Sequence, residues 1–294
     1  MESSSVPTRL LAVAWLTLVR SPAASPSAEC RVGSLRDGLA RELRRRDGFG
    51  SETQQWFSEF RDRCQLPYTT PWQVPGHYVT GLRNRGPWWD AWSAEDTRLR
   101  SIGRALEAEA DAIRREGARL LGMIGNKSFF ASRGGTKALA RGPSEAGWAE
   151  LFLYNSNADF AQDPELVKNP GWQFRACRVA KRTCAVLRDH FPPKSQRMSW
   201  DMPNAEIVAF SSLSPGHNIT WHTGFSNSRL TLHLGLTGLR GAKIVVGDVP
   251  RAWREGKVQV FDDGYFHYVR HTGTRTRLIL NVALAHPDYL ATLS

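Results

Sequence analysis

No segment of this 294-residue chain is apolar for long enough to cross a bilayer comfortably. The run from Leu10 to Val19 falls well short of the about 20 residues that a spanning helix needs. A glycine-rich phosphate loop and a G-x-S-x-G elbow are also missing, which removes the sequence grounds for phosphate-loop or serine-hydrolase chemistry. Cysteine is scarce: there are four, and no pair has the C-x₂₋₄-C spacing of a zinc site. Acidic residues are outnumbered, 28 Asp and Glu against 39 Lys and Arg, for a net charge of +11. Such an excess attracts acidic partners. The basic residues are scattered, however, and no nucleic-acid module is recognisable, so nucleic acid is not an expected partner. There is no internal repeat and no long linker.

The beginning of the chain is organised like a targeting segment. Arg9 precedes the apolar run, and Arg20 and the small residues Ser21 to Ala28 follow it. This pattern fits a secretory signal peptide cut near Ala23 to Ala28. An uncleaved signal anchor, which would tie the chain to a membrane, and an unstructured cytosolic tail are the alternatives. Residues 29–75 read as a helical segment. Leu35, Leu39 and Leu43 recur at helical spacing, Trp56, Phe57 and Phe60 form a second apolar stripe, and Pro67, Pro71 and Pro75 mark the exit. Residues 76–294 read as one catalytic domain, with a supporting helix from Thr97 to Leu121 and enough length for a sizeable core.

Strand-like alternation fills the last third. From Arg229 to Leu236 the leucines 230, 232, 234 and 236 share one face, and Arg229, Thr231, His233 and Gly235 share the other. Thr276 to Leu284 behaves in the same way, with Arg277, Ile279, Asn281 and Ala283 on one side. Lys257 to Phe261 and Tyr265 to Arg270 flank the turn Asp262-Asp263-Gly264. Glu206 to Leu213 adds a strand in which Ser211 shares parity with Ile207 and Ala209. Short strands joined by tight turns predict a mainly β fold with flanking helices, built around a sandwich or jelly-roll barrel. His222 and His267 stand 45 residues apart, in or beside such strands, and Arg277 follows the second by 10. Neutral imidazoles suit a borderline first-row metal, and a guanidinium can grip a carboxylate through two parallel hydrogen bonds. His77, His190, His217, His271 and His286 show no such pattern and read as structural.

These residues carry a resemblance. His222-Thr223-Gly224 with Arg229 to Leu236, then Trp253-Arg254-Glu255-Gly256-Lys257-Val258, Phe261-Asp262-Asp263 and His267, then Arg277 and Asn281 to Pro287, resemble the aspartyl/asparaginyl β-hydroxylase family in order and spacing. The similarity is dense from about Ser211 to Pro287 and thinner back to Trp88-Trp89. It implies a double-stranded β-helix (cupin-like) core and an iron(II)- and 2-oxoglutarate-dependent oxygenase. That reaction uses O2, releases succinate and hydroxylates the β-carbon of Asp or Asn in a protein substrate, typically within a small disulfide-rich module. The resemblance gives His222 and His267 the role of iron ligands. It gives Arg277 the distal carboxylate of 2-oxoglutarate, and Ser211 and His233 supporting roles toward that cosubstrate. Gly224 supplies no carboxylate where many non-haem oxygenases have one, and the family is similar in using two protein ligands and a water. Asp262 and Asp263 are the expected supports for that water or for a histidine. Thr231 departs from the family, whose best-studied members carry an arginine there that helps bind the cosubstrate, and Arg229 on the same face is expected to compensate in holding the cosubstrate.

The family also has a cysteine pair matching Cys177 and Cys184, which leaves Cys30 and Cys64 to pair with each other, although sequence alone leaves the pairing open. An even count favours bridges in an oxidising lumen, so the endoplasmic reticulum or secretion is expected. Asn126 and Asn218 are glycosylation acceptors on that route, and a glycan on Asn218 would crowd the site. Two other readings keep the same fold: a hydroxylase of free amino acids, and a binding module without turnover.

Overall fold

The structure is a computed structural model that describes residues 30, 32–46, 48–93, 95–123, 140–141, 147–155, 171–191 and 206–291. The targeting segment and the Asn126 acceptor lie outside them. Two antiparallel sheets face each other. The larger runs in the order β1 (Trp88–Trp89), β10 (Val258–Asp262), β7 (Arg229–Thr237), β12 (Arg277–Ala285), β5 (Ile207–Leu213), β3 (Trp148–Asn155), β4 (Gly171–Trp172). The smaller runs β2 (Ala140–Arg141), β6 (Asn218–His222), β11 (His267–His271), β8 (Ala242–Val246), β9 (Val249–Ala252). Neighbours in space come from distant parts of the chain, as in a jelly roll, and the expected mainly β architecture with flanking helices is what forms.

The leucine faces of the strands point outward, against helices, and the polar faces point inward. Leu230, Leu232, Leu234 and Leu236 join Leu278, Leu280, Val282, Val208 and Phe210 in one apolar cluster. Helices α3 (Thr97–Ala108) and α4 (Ala110–Met123) complete it with Leu99, Ile102, Leu106, Ile113 and Leu120. The helix expected from Thr97 to Leu121 is therefore two, bent at Glu109. The backbone ladder still crosses the bend, from Glu109 N–H to the Ala105 carbonyl at 3.2 Å and from Ile113 N–H to the Glu109 carbonyl at 3.0 Å. Gly117 lets α4 lie close on the sheet: a Cβ there would stand 2.8 Å from Leu278 and from Phe210. From α4, Glu116 accepts the Arg182 and Thr183 N–H groups at 2.8 and 3.0 Å. These are orphan donors at the start of α6 (Lys181–Leu187). The Cys177–Cys184 disulfide joins α5 (Phe174–Val179) to α6, with Cα atoms 5.7 Å apart.

The helical segment at 29–75 closes the outer face of the smaller sheet. In α1 (Val32–Arg46) Leu35, Leu39 and Leu43 are buried, as their spacing predicts. In α2 (Ser51–Arg63) Phe57 and Phe60 are buried but Trp56 is 41% exposed. Adjacent positions lie about 100° apart around a helix, so Trp56 and Phe57 cannot both face inward. These side chains share a cluster with Trp221, Val245 and Phe266 of the barrel. The Cys30–Cys64 disulfide, with Cα atoms 5.5 Å apart, fastens the start of α1 to the end of α2. Both expected bridges thus form, and they suit an oxidising, secretory-type compartment. Among the described residues no helix is long and apolar enough to cross a membrane.

Between the sheets, Leu213, Ile219, Ile244, Val246, Trp253, Phe261, Val269 and Ile279 fill one end with apolar side chains. Ile219, Ile244, Phe261, Val269 and Ile279 also line a cavity of about 410 Å³ between the sheets.

Candidate active site

Ser211, His222, Arg229, His233, Asp263, His267 and Arg277 all line this cavity. Asp262 does not. Its carboxylate accepts Gln73 Nε2 at 2.7 Å and the Gly264 N–H at 2.8 Å, which locks the β10–β11 turn. Burial raises Asp262 to about 8, a value that those hydrogen bonds only partly restrain.

His222 and His267 are direct cross-strand partners on β6 and β11, with ring centroids 4.1 Å apart. Each imidazole is oriented by its own strand. His222 Nδ1 donates to the Thr220 carbonyl at 2.7 Å, and His267 Nδ1 to the Tyr265 carbonyl at 2.8 Å. That fixes the tautomer and leaves each Nε2 lone pair free for a ligand. Burial pulls His222 down to about 3 and lowers His267 as well, so both rings are neutral near pH 7. A β-bulge aims the first of them: the pairing runs His267 to His222 and then Val269 to Ile219, so β6 carries one extra residue. The bulge turns Trp221 outward onto the helical segment while Ile219 and His222 both face the cavity.

Gly224 has a spatial explanation. A Cβ there would lie 1.8 Å from Asp263 Oδ2, and its N–H donates to the Asp263 carbonyl at 2.6 Å. The place of a side chain two residues after His222 is thus filled by a carboxylate from another strand end. Asp263 Oδ1 lies 3.9 Å from His267 Nε2. Burial alone would raise Asp263, but Arg229, with the two histidines, holds it down at about 2. Arg229 Nε donates to Oδ2 at 3.0 Å and its Nη2 bonds the same oxygen. The guanidinium expected to make up for Thr231 is committed to Asp263 instead. Among the described residues, no group of three or more His, Cys, Asp or Glu is arranged to hold a metal.

At the inner end the pattern is reversed. Arg277 is 1% exposed, lies 5.3 Å over the Trp253 ring, and has a buried Nε with no hydrogen-bond partner. Burial lowers it to about 9, opposed by Glu150. Its Nη2 donates to Ser211 Oγ at 3.3 Å, and Trp148 Nε1 donates to the same oxygen at 3.1 Å. With its oxygen accepting twice, the Ser211 hydroxyl hydrogen is free to donate. Trp253 Nε1 donates to His233 Nδ1 at 3.3 Å, which places the proton of the neutral imidazole on Nε2. Burial, then Arg277, lowers His233 to about 3. A buried cation with an unmatched N–H, beside two further donors, fits a small dicarboxylate.

Two side chains of this wall were not singled out from the sequence. Trp148 and Glu150 come from β3, and Glu150 sits opposite Ser211 in the strand register. The alternation Trp148, Glu150, Phe152 is the signal that would have found them. His217, His271 and His286 bond backbone carbonyls of Pro215, Arg275 and Arg83. Asn218 Oδ1 accepts the His271 N–H at 3.1 Å.

Comparison with known proteins identifies the family. Residues 107–287, more than half of the chain, match the family model described as Aspartyl/Asparaginyl beta-hydroxylase. The mouse protein named Aspartyl/asparaginyl beta-hydroxylase is 28% identical over 81% of this chain, and this chain spans 28% of its length. Mouse Aspartate beta-hydroxylase domain-containing protein 2 is 42% identical over 29% of the chain and 25% of its own length. Among solved structures, the Schizosaccharomyces pombe Cnp3 cupin domain matches at 8% identity, covering 30% of this chain and 61% of that one, with a TM-score of 0.26. That overlap is too slight to carry weight, and the fold rests on the strand pairing above. On the family match, the chain belongs to the aspartyl/asparaginyl beta-hydroxylase family.

Proposed function

We propose that this chain is an iron(II)- and 2-oxoglutarate-dependent hydroxylase of the β-carbon of Asp or Asn side chains in a protein substrate. One observation carries the reading. Two carbonyl-oriented imidazoles present free Nε2 atoms to the same cavity in which a buried arginine has an unmatched N–H.

His222 and His267 would hold the metal through Nε2, and their neutrality at physiological pH keeps those lone pairs available. Arg277 and the Ser211 hydroxyl would take the distal carboxylate of the cosubstrate, with His233 Nε2–H as a further donor. When bound, iron(II) and 2-oxoglutarate supply the oxygen activation, and the products are a hydroxylated side chain, succinate and carbon dioxide. The chain's own part is to orient and to exclude water. Trp253 fixes both Arg277 and His233. Asp263, kept ionised by Arg229, offers an acceptor beside the metal position. The two disulfides support action in the secretory pathway, in the endoplasmic reticulum lumen or after secretion, on a disulfide-containing module.

The test is succinate release by the purified chain with iron(II), ascorbate and 2-oxoglutarate, with and without disulfide-closed peptides bearing Asp or Asn. Peptide-stimulated succinate with a 16 Da gain on the peptide is expected, and His267→Ala abolishes both. A chain that binds neither iron(II) nor 2-oxoglutarate would sink the proposal.

A further inference from the structure

The two sheets divide the cavity between them. His222 and His267 belong to the smaller sheet, while Ser211, His233 and Arg277 belong to the larger. Each sheet also has its own cover: α3 and α4 pack on the outer face of the larger, and α1 and α2 on that of the smaller. Resting on the metal-site part of the hydroxylase reading, we infer that the disulfide-closed α1–α2 segment is a positioning element of the metal site. It acts on His222 through Trp221, and on His267 through its exit at Trp72 and Gln73.

Regular pairing is interrupted where His222 has to be aimed. Among the described residues, Thr220 and Trp221 have no register partner on β11 or on β2, and the two of them face Tyr268 alone. The ladder is disrupted at such a bulge, so packing sets the local twist of the strand. Thr220 carries the carbonyl that holds His222 Nδ1. Trp221 lies between that carbonyl and the ligand, and its ring is anchored outward. It is buried in a cluster with Leu35, Leu39, Leu43, Phe57 and Phe60. Its ring centroid is 5.9 Å from that of Trp72 and 4.3 Å from that of Tyr268. Successive strand residues point to opposite faces, so a fixed Trp221 ring fixes the direction in which His222 leaves the strand. Tyr268 follows His267 and completes the arrangement. Trp221 and Tyr268 meet on the outer face of the sheet as His222 and His267 meet on the inner.

The second support comes from the chain that leaves α2. The Phe266 N–H donates to the Trp72 carbonyl at 2.7 Å, and Gln73 pairs with Tyr265 in an antiparallel bridge. Gln73 also holds the Asp262 carboxylate. Residues 72 and 73 thus grip the stretch from Asp262 to Phe266, which includes the Tyr265 carbonyl that orients His267 Nδ1. Phe266 is buried in the same cluster as Trp221, and the Cys30–Cys64 bridge ties together the two helices that build it. Both carbonyls that set the imidazoles are therefore held from outside the barrel by one closed segment.

A pair of leucines tests this, because the same truncation can be made under either sheet. Leu39 of α1 and Leu106 of α3 are both fully buried, the first over the smaller sheet and the second over the larger. Leu39→Ala and Leu106→Ala are expected to lose similar stability in chemical denaturation. Zinc(II), a redox-inert stand-in for iron, is then titrated by calorimetry. Leu39→Ala should bind it severalfold more weakly than the wild type, and Leu106→Ala as the wild type does. Trp221→Ala should lose about tenfold or more, the loss typical of a group that orients a metal ligand, and Trp221→Phe should recover most of it. In the zinc-free protein, long-range proton–nitrogen NMR should show His222 protonated on Nδ1 in the wild type and in Leu106→Ala. Trp221→Ala should show a mixture of the two tautomers. If Trp221→Ala does not fold, the leucine pair decides. Equal zinc affinities in the two leucine variants, or an unchanged His222 tautomer and zinc affinity in Trp221→Ala, overturn the inference. A wild-type protein that binds no zinc overturns the hydroxylase reading itself.

Discussion

Arg277 and Arg229 face one cavity from opposite ends and live under different electrostatics. Arg277 is buried, stacked on an indole, and carries an N–H that nothing in the described structure accepts. Arg229 has Asp263 as its counter-ion. On the proposed reading one arginine takes a ligand that arrives from solution, and the other keeps a carboxylate ionised. Residue type and strand parity are the same in both cases. The difference is the company each keeps, and it sorts binding groups from positioning groups within a single cavity.

Removing the unmatched cation should have the largest effect. In Arg277→Met, 2-oxoglutarate affinity is expected to fall by two orders of magnitude or more, because a buried charge-assisted pair is worth roughly 3–5 kcal/mol when one partner is removed. Titration of the zinc-loaded protein, read by tryptophan fluorescence, checks it. Unchanged affinity would show that the inner end does not hold the cosubstrate. At the outer end the effect falls on folding. Asp263→Ala leaves the half-buried Arg229 without its counter-ion, and chemical denaturation should show a loss of up to about 3 kcal/mol. Adding Arg229→Met should recover part of that loss. If the double variant is less stable than the single, the pair is not the unit described.

A smaller contrast lies between the neighbouring carboxylates Asp262 and Asp263. Asp262 is raised to about 8, so its contribution to stability is full below the unfolded value of about 3.9 and is lost as pH rises toward and through 8. Asp263 is lowered to about 2, so its contribution is present above about 3.9 and is lost as pH falls through 2. Melting temperatures at pH 6 and pH 9 should therefore differ more in the wild type than in Asp262→Asn. An identical alkaline decline in both would assign it to other groups.

Much of this was legible beforehand, for physical reasons. Strand parity assigned Arg229, Thr231, His233 and Gly235 to one face and the leucines to the other, because a two-residue period survives any arrangement of sheets. Parity does not say which face is inside, and here the leucines pack outward on helices. Nor can parity describe His222, where the bulge inserts a residue and lets Ile219 and His222 share a face that alternation would deny them. Asp262 and Asp263 looked equivalent as adjacent acids before a histidine. Only the turn shows that Asp262 serves Gln73 and Gly264 while Asp263 enters the cavity. Trp253 stood in a recognisable block, but its contact with His233, 20 positions away, is a property of the folded sheets.

Gly224 has a consequence for how this site can change over evolutionary time. A single substitution to aspartate would restore the histidine-x-aspartate spacing of other non-haem oxygenases, yet the first atom of the new side chain would fall on Asp263. The step is closed unless position 263 shrinks first, and that change strands Arg229. Three positions drawn from separate strands and turns must therefore move together. Glycine at 224 is thereby locked in by its neighbours, and lineages that carry this ion pair are expected to keep it after the first histidine.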